Sequence, residues 1–188
     1  MALLIAGVVL WSLAHLFPAV APSLRTNLAG KLGEGPYKGL FALDIVLALG
    51  LIIFGWKTAI PTTLYAPTLI GDKIPLAFII LAFILFVASS LQNNLIRFVR
   101  HPQMGAVICW GIGHLLVNGD SRSVVLFGGL TVWAVLEMIF INKRDGEWQR
   151  PSAVPLVKDL VTGIIAAVVF AAIVYFHAGL FGVPAIHG

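Results

Sequence analysis

The stretch from Arg97 to Asp120 decides the fold, and it reads RFVRHPQMGAVICWGIGHLLVNGD. An Arg-His-Pro sequence precedes an apolar run that contains one histidine, His114, and an Asn-Gly-Asp turn follows. An ionisable side chain within a membrane segment is costly and is therefore generally functional. The question for the rest of the chain is what His114 binds.

The composition is that of an integral membrane protein. Hydrophobic residues make up 60% of the 188, against about 45–50% in a soluble domain, and the mean hydropathy is +1.00. The net charge of +4 comes from basic residues in short connectors, which favours membrane topology over nucleic-acid binding. The single cysteine, Cys109, excludes a disulfide within the chain and a cysteine-rich metal site.

The pattern predicts an all-α polytopic membrane protein with one domain, residues 1–188. The six apolar runs that we expect to span the bilayer are 2–22, 37–56, 75–96, 103–118, 123–142 and 160–180. Most have about the 20 residues that a bilayer requires. Odd-numbered connectors carry nine of the twelve Lys and Arg residues, so we expect these connectors in the cytoplasm and both termini outside.

Two histidines are predicted at nearly equal depth. His15 lies ten residues before Arg25, about 15 Å from the membrane edge, and His114 lies twelve residues after Pro102, about 18 Å in. Each follows a tryptophan by four residues, in the repeated pattern W-x-x-x-H-L. Because the first and fourth helices run in opposite directions, the pattern suggests an inverted repeat of three plus three helices.

Two imidazoles at one depth in apolar surroundings suit a haem whose iron is ligated from both faces. In this hypothesis His15 and His114 are the iron ligands, and Trp11 and Trp110 pack against the porphyrin. Asn118 is expected to anchor the helix end or a ligand. The structural alternative for each histidine is an interhelical hydrogen bond.

Arg100 and His101 are candidates for binding the propionates of a haem or the charged group of another cofactor. The alternative is that they anchor the loop at the cytoplasmic surface. Two acidic residues within the predicted spans, Asp44 and Glu137, are expected to form ion pairs or part of a proton route.

At these residues the chain resembles the NnrU family of bacterial membrane proteins and, more distantly, the plant zeta-carotene isomerase of the same superfamily. The matching stretches are WSLAHLFPAVAPSLR at 11–25, GEGPYKGLFAL at 33–43, RHPQMGAVICWGIGHLLVNGD at 100–120 and LFGGLTVWA at 126–134. The family resemblance implies a multi-pass protein of the bacterial cytoplasmic membrane, linked to nitrite and nitric oxide metabolism. A redox partner or a nitrogen-oxide reductase is the partner it implies.

The isomerase relative implies haem b, with ligands that correspond to His15 and His114. In that relative the haem iron is thought to drive a double-bond isomerisation after reduction, but nothing in this sequence indicates a carotenoid. The function expected here is therefore a redox or isomerase-like role. A non-catalytic assembly or regulatory role is an alternative.

Arg100-His101-Pro102 also resembles a motif of membrane isoprenylcysteine methyltransferases, which bind S-adenosylmethionine. In those enzymes a glycine follows at a larger spacing and a glutamate-rich helix comes later. Here Gly105 comes early and no such glutamate pair follows. Methyl transfer is therefore the alternative function from a different class.

Overall fold

The computed structural model describes residues 1–67 and 73–185. Within these ranges the α-helices are α1 (Ala2–Val20), α2 (Pro22–Leu32), α3 (Glu34–Thr58), α4 (Lys73–Ala88), α5 (Pro102–Leu115), α6 (Ser121–Asp145) and α7 (Val157–Phe181), and a 3-10 helix is formed by Leu95–Arg97. Residues Val124–Gly128 of α6 have π-helical hydrogen bonding. The described part of the chain is all-helical, and the protein is of membrane type, as the composition predicts.

Four of the helices, α1, α3, α6 and α7, are long and apolar enough to cross a membrane. The other two predicted spans form shorter helices, since α4 has 16 residues and α5 has 14. A straight helix needs about 20 residues to cross the hydrocarbon core. Six complete spans and the inverted repeat therefore stay predictions.

Helix α6 lies at the centre of the packing. The closest pairs are α1 with α3 and α4 with α5, and α6 contacts both α1 and α5. Helix α7 packs against the outer side of the second pair, on α4. The two helices that carry the W-x-x-x-H-L patterns, α1 and α5, therefore both contact α6.

Glycines allow α1 and α3 to pack closely. A Cβ atom on Gly7 would lie 2.7 Å from the backbone nitrogen of Ile52, and one on Gly55 would overlap the backbone of Leu4. Small residues at a helix interface let the two backbones approach, which is how membrane helices gain packing energy without a hydrophobic effect. Leu4, Val8 and Ile52 form the buried core of this interface.

The first predicted connector is helical, because residues 22–32 form α2. Pro22 occupies the first helical turn, where its missing amide is not needed, and Gly33 ends the helix with φ 87°. The third predicted run ends at Ala88 instead of residue 96. There the Asn93 side chain donates to the carbonyls of Ala88 and Leu91, each at 2.8 Å, and so replaces the helical hydrogen bonds.

Candidate functional site

His15 lies among aromatic side chains from three helices. Its ring centroid is 4.2 Å from that of Trp11, 5.2 Å from Trp133 on α6 and 5.8 Å from Phe41 on α3. Its Nδ1 lies 2.8 Å from the carbonyl oxygen of Trp11. Because a carbonyl can only accept, Nδ1 carries the proton, and Nε2 of the neutral ring keeps its lone pair.

His114 has the same local arrangement at the end of α5. Its Nδ1 donates to the carbonyl of Trp110 at 2.9 Å, again four residues earlier. The ring stacks on Phe127 of α6, with 4.3 Å between centroids and 16° between planes. Nε2 is therefore the nitrogen available to a ligand in both histidines.

The two rings contact α6 at different levels. Trp133, which contacts His15, lies twelve residues from each end of α6, whereas Phe127 lies six residues nearer its start. Six residues correspond to about 9 Å along a helix. The prediction of equal depth is therefore wrong.

The error comes from counting depth from Pro102. The residue before it, His101, bonds to Asn142, which lies three residues inside the end of α6. Helix α5 thus begins deeper in the protein than α6 ends, and His114 is displaced toward the start of α6.

Arg100 and His101 hold the loop before α5 against the end of α6. Arg100 Nη1 donates to the Gly146 carbonyl and His101 Nε2 to Asn142 Oδ1, each at 2.8 Å. The structure thus gives both side chains an anchoring contact, and propionate binding by them stays a prediction.

Asn118 closes the other end of α5. Its side chain and its backbone amide both donate to the carbonyl of His114, at 2.9 Å each. It therefore anchors the helix end, one of the two roles expected for it. Contact between Asn118 and a cofactor stays a prediction.

Sequence reasoning did not identify the aromatic residues of α6 as part of the site. A tryptophan in a membrane protein is often an interfacial anchor, but Trp133 is only 5% exposed. Its position at the middle of a long span could have identified it, because anchoring tryptophans lie near the ends. Phe127 belongs to LFGGLTVWA, but no pattern within one helix shows which side chain of another helix it contacts.

A buried polar group near His15 lacks a partner. Among the described residues, the indole N–H of Trp11 is buried with no hydrogen bond, whereas the indole N–H of Trp133 lies beside the carboxylate of Glu137, one turn further along α6. Such groups are costly unless a water or a ligand binds them. The surroundings of His15 are thus suited to a ligand that has polar atoms.

A haem fits the donor set better than a bare metal ion does. In the described part of the chain, no three side chains of His, Cys, Asp or Glu come together. Haem iron needs only one or two protein ligands, because the porphyrin supplies the others. In each histidine Nδ1 donates a hydrogen bond to a backbone carbonyl and Nε2 keeps its lone pair, which is the arrangement found in histidines that bind a metal.

The model of the family described as NnrU protein matches residues 3–185. The chain belongs to the NnrU family. The match covers both histidines and, apart from Ala2, every helix of the described residues, so the family resemblance is confirmed. No curated protein and no solved structure matches the chain.

Proposed function

We propose that this NnrU-family protein is an integral membrane haem b protein whose axial ligands are Nε2 of His15 and Nε2 of His114. The observation that supports it most is the shared hydrogen bond from Nδ1 to the carbonyl four residues earlier. Metal-ligating histidines almost always donate their other ring N–H in this way.

The side chains around each imidazole have separable roles in this proposal. The carbonyls of Trp11 and Trp110 fix the ring orientation and make Nε2 more basic. Trp133 and Phe127 exclude water from the two rings, and a low dielectric there favours a neutral imidazole. A bound haem would supply one-electron chemistry at its iron.

Ligation of one iron by both histidines places a condition on the helices. The rings contact α6 at residues 127 and 133, so they must approach each other along α6 when the cofactor binds. The α1–α3 pair and the α4–α5 pair are the units that would move, because each is closely packed within itself. Ligation by a single histidine requires no such movement.

The proposal is tested by haem content and the Soret band of the purified protein, supplied with haem during expression. We expect about one haem per chain in the wild type, and loss of haem or a shifted Soret band in His15→Ala and in His114→Ala. His177→Ala is the comparison variant, since that ring donates to Val183 but lies close enough to His114 for its charge to act there, and it should keep its haem. A colourless wild type would refute haem binding, and an effect in only one variant would refute two-histidine ligation.

We further propose that the protein acts in redox or isomerase-like chemistry linked to nitrite and nitric oxide. The family resemblance supports this, and the proposal includes a location in a bacterial cytoplasmic membrane with both termini outside. A redox protein or a nitrogen-oxide reductase would be its partner. A deletion strain grown on nitrate should accumulate nitrite or nitric oxide, and unchanged levels of both would refute the role.

Methyl transfer gains no support from the contacts of the RHP motif. Arg100 and His101 bind the end of α6. A protein that binds S-adenosylmethionine with micromolar affinity and lacks haem would restore that alternative.

A further inference from the structure

A cavity lies where α1 and α6 end and α3 begins, and it shares only Phe41 with the aromatic surroundings of His15. Its volume is about 460 Å³, and its charged lining consists of Arg25, Lys38 and Arg144. Tyr37 and Phe41 of α3 also line it. Three cations from three helices thus face one space at the predicted cytoplasmic end of the membrane spans.

An apolar groove adjoins this cavity and shares Tyr37 and Phe41 with it. The groove has a volume of about 370 Å³ and is walled by Phe17, Leu28, Leu32 and Leu40. Its one charged lining residue is Asp44, which lies further along α3. A cationic cavity that opens into an apolar groove matches a molecule with an anionic head and a hydrocarbon chain.

The cations keep hydrogen-bonding capacity for a ligand. The Oε2 atom of Glu34 lies 3.8 Å from Nη2 of Arg25 and 3.5 Å from Nζ of Lys38. Both distances are long for ion pairs. Arg144 donates two hydrogen bonds to the Asp145 carboxylate, at 2.7 and 3.2 Å, and a third to the Pro18 carbonyl at 3.4 Å. A guanidinium has five N–H donors, so donors remain on both arginines.

We propose that this cavity and groove bind one anionic phospholipid, with its phosphate among Arg25, Lys38 and Arg144 and an acyl chain along Leu28, Leu32 and Leu40. The position argues for a lipid, because the cavity lies at the headgroup level of the predicted spans. Basic pockets between helices at that level bind anionic headgroups. The proposal does not depend on haem binding.

Helix α2 is suited to cover such a lipid. It lies between the ends of two membrane spans and contributes both Arg25 and the groove residue Leu28. Two of its other leucines, Leu24 and Leu32, are 51% and 46% exposed. An interfacial helix with exposed apolar side chains buries them among the lipid chains.

The test compares the affinity of the purified full-length protein for three ligands. They are phosphatidylglycerol, phosphatidylcholine and glycerophosphoglycerol, which is the headgroup of phosphatidylglycerol without its acyl chains. Native mass spectrometry and the shift in the thermal unfolding temperature measure the binding. We expect at least tenfold tighter binding of phosphatidylglycerol than of phosphatidylcholine, and little binding of the head alone. Arg25→Gln, Lys38→Gln and Arg144→Gln should each weaken phosphatidylglycerol binding by about fivefold.

Lys143→Gln is the matched control, because Lys143 is exposed, neighbours Arg144 and does not line the cavity. It should leave the affinity unchanged. An equal loss in Lys143→Gln, equal binding of the two lipids, or tight binding of the head alone would each overturn the proposal.

The haem content of the same variants separates this site from the haem proposal. Arg25→Gln, Lys38→Gln and Arg144→Gln should keep their haem content, if the wild type has haem. Loss of haem in these variants would assign the cavity to the cofactor instead. Of the three substitutions, Lys38→Gln should affect folding least, because the Lys38 side chain is 72% exposed.

Discussion

The backbone of each histidine's own helix fixes the chemistry of its ring. A carbonyl four residues earlier accepts a hydrogen bond from the Nδ1–H of His15 and of His114, so both rings present Nε2. The repeated W-x-x-x-H-L pattern predicted that these two residues belong together, because four residues is one helical turn. The pattern could not predict Phe127 or Trp133 as their neighbours, since those contacts depend on where α6 packs.

Asn118→Ala is expected to destabilise the protein without removing a cofactor ligand. The change removes the side-chain hydrogen bond to the His114 carbonyl, which is worth about 1 kcal/mol. Thermal unfolding in detergent measures it, with Asn27→Ala on the exposed side of α2 as the control. Loss of haem from a stably folded Asn118→Ala variant would instead show that Asn118 contacts the cofactor.

The carboxylate of Asp120 makes stability depend on pH at the start of α6. Burial opposes its ionisation, but the Ser123 hydroxyl, the amides of Ser123 and Arg122, and the Arg122 charge outweigh burial and lower its pKa below 3.8. A lowered pKa means that the ionised form stabilises the folded state. This stabilisation is complete above about pH 5 and is lost as the pH falls below 4.

Asp120→Asn tests this dependence, because asparagine also caps helices but does not titrate. Between pH 6 and pH 3.5 we expect the variant to lose less thermal stability than the wild type does. The exposed Glu147→Gln variant should follow the wild type. Identical acid sensitivity of Asp120→Asn and wild type would contradict the assignment.

Among the helices, hydropathy and length located all six apolar runs but not their ends. The run that begins at residue 75 was expected to continue to 96, and Asn93 ends it early through contacts that hydropathy does not register. Helix α2 was missed for a related reason. Its composition is polar enough for a connector, and the proline and glycine at its ends are also typical of turns.

Gly55→Ala is expected to weaken the pairing of α1 and α3. The new Cβ would overlap the Leu4 backbone, so the helices must separate, and overpacking of this kind costs about 1–3 kcal/mol. Gly50→Ala makes the same change on the same helix with no atom within 4 Å of the new Cβ, and its stability should stay near that of the wild type. Equal thermal unfolding temperatures for the two variants would refute the close contact.

The molecule as a whole has one central helix with a pair of helices on either side. Hydropathy cannot predict this order, because it does not distinguish a lipid-facing from a protein-facing apolar side. The contacts of α6 with α1 and α5 thus decide which histidine meets which aromatic residue. Only the positive charges of the connectors bear on the orientation, which stays a prediction.

Reporter fusions test whether the 14-residue helix α5 crosses the membrane. We expect green fluorescent protein to be fluorescent when fused after Leu91 or Gly146, and alkaline phosphatase to be active when fused after Asn118. These results would place the connectors before α5 and after α6 in the cytoplasm. Phosphatase activity after both Leu91 and Asn118 would show that α5 does not cross.

The spin state of the iron in the purified protein tests two-histidine ligation most directly. Two axial imidazoles should give a low-spin electron paramagnetic resonance signal in the oxidised wild type and in His177→Ala. In His15→Ala and His114→Ala the signal should become high-spin or disappear with the haem. A high-spin wild type, or a low-spin signal that persists in either of these two variants, would contradict ligation by this pair.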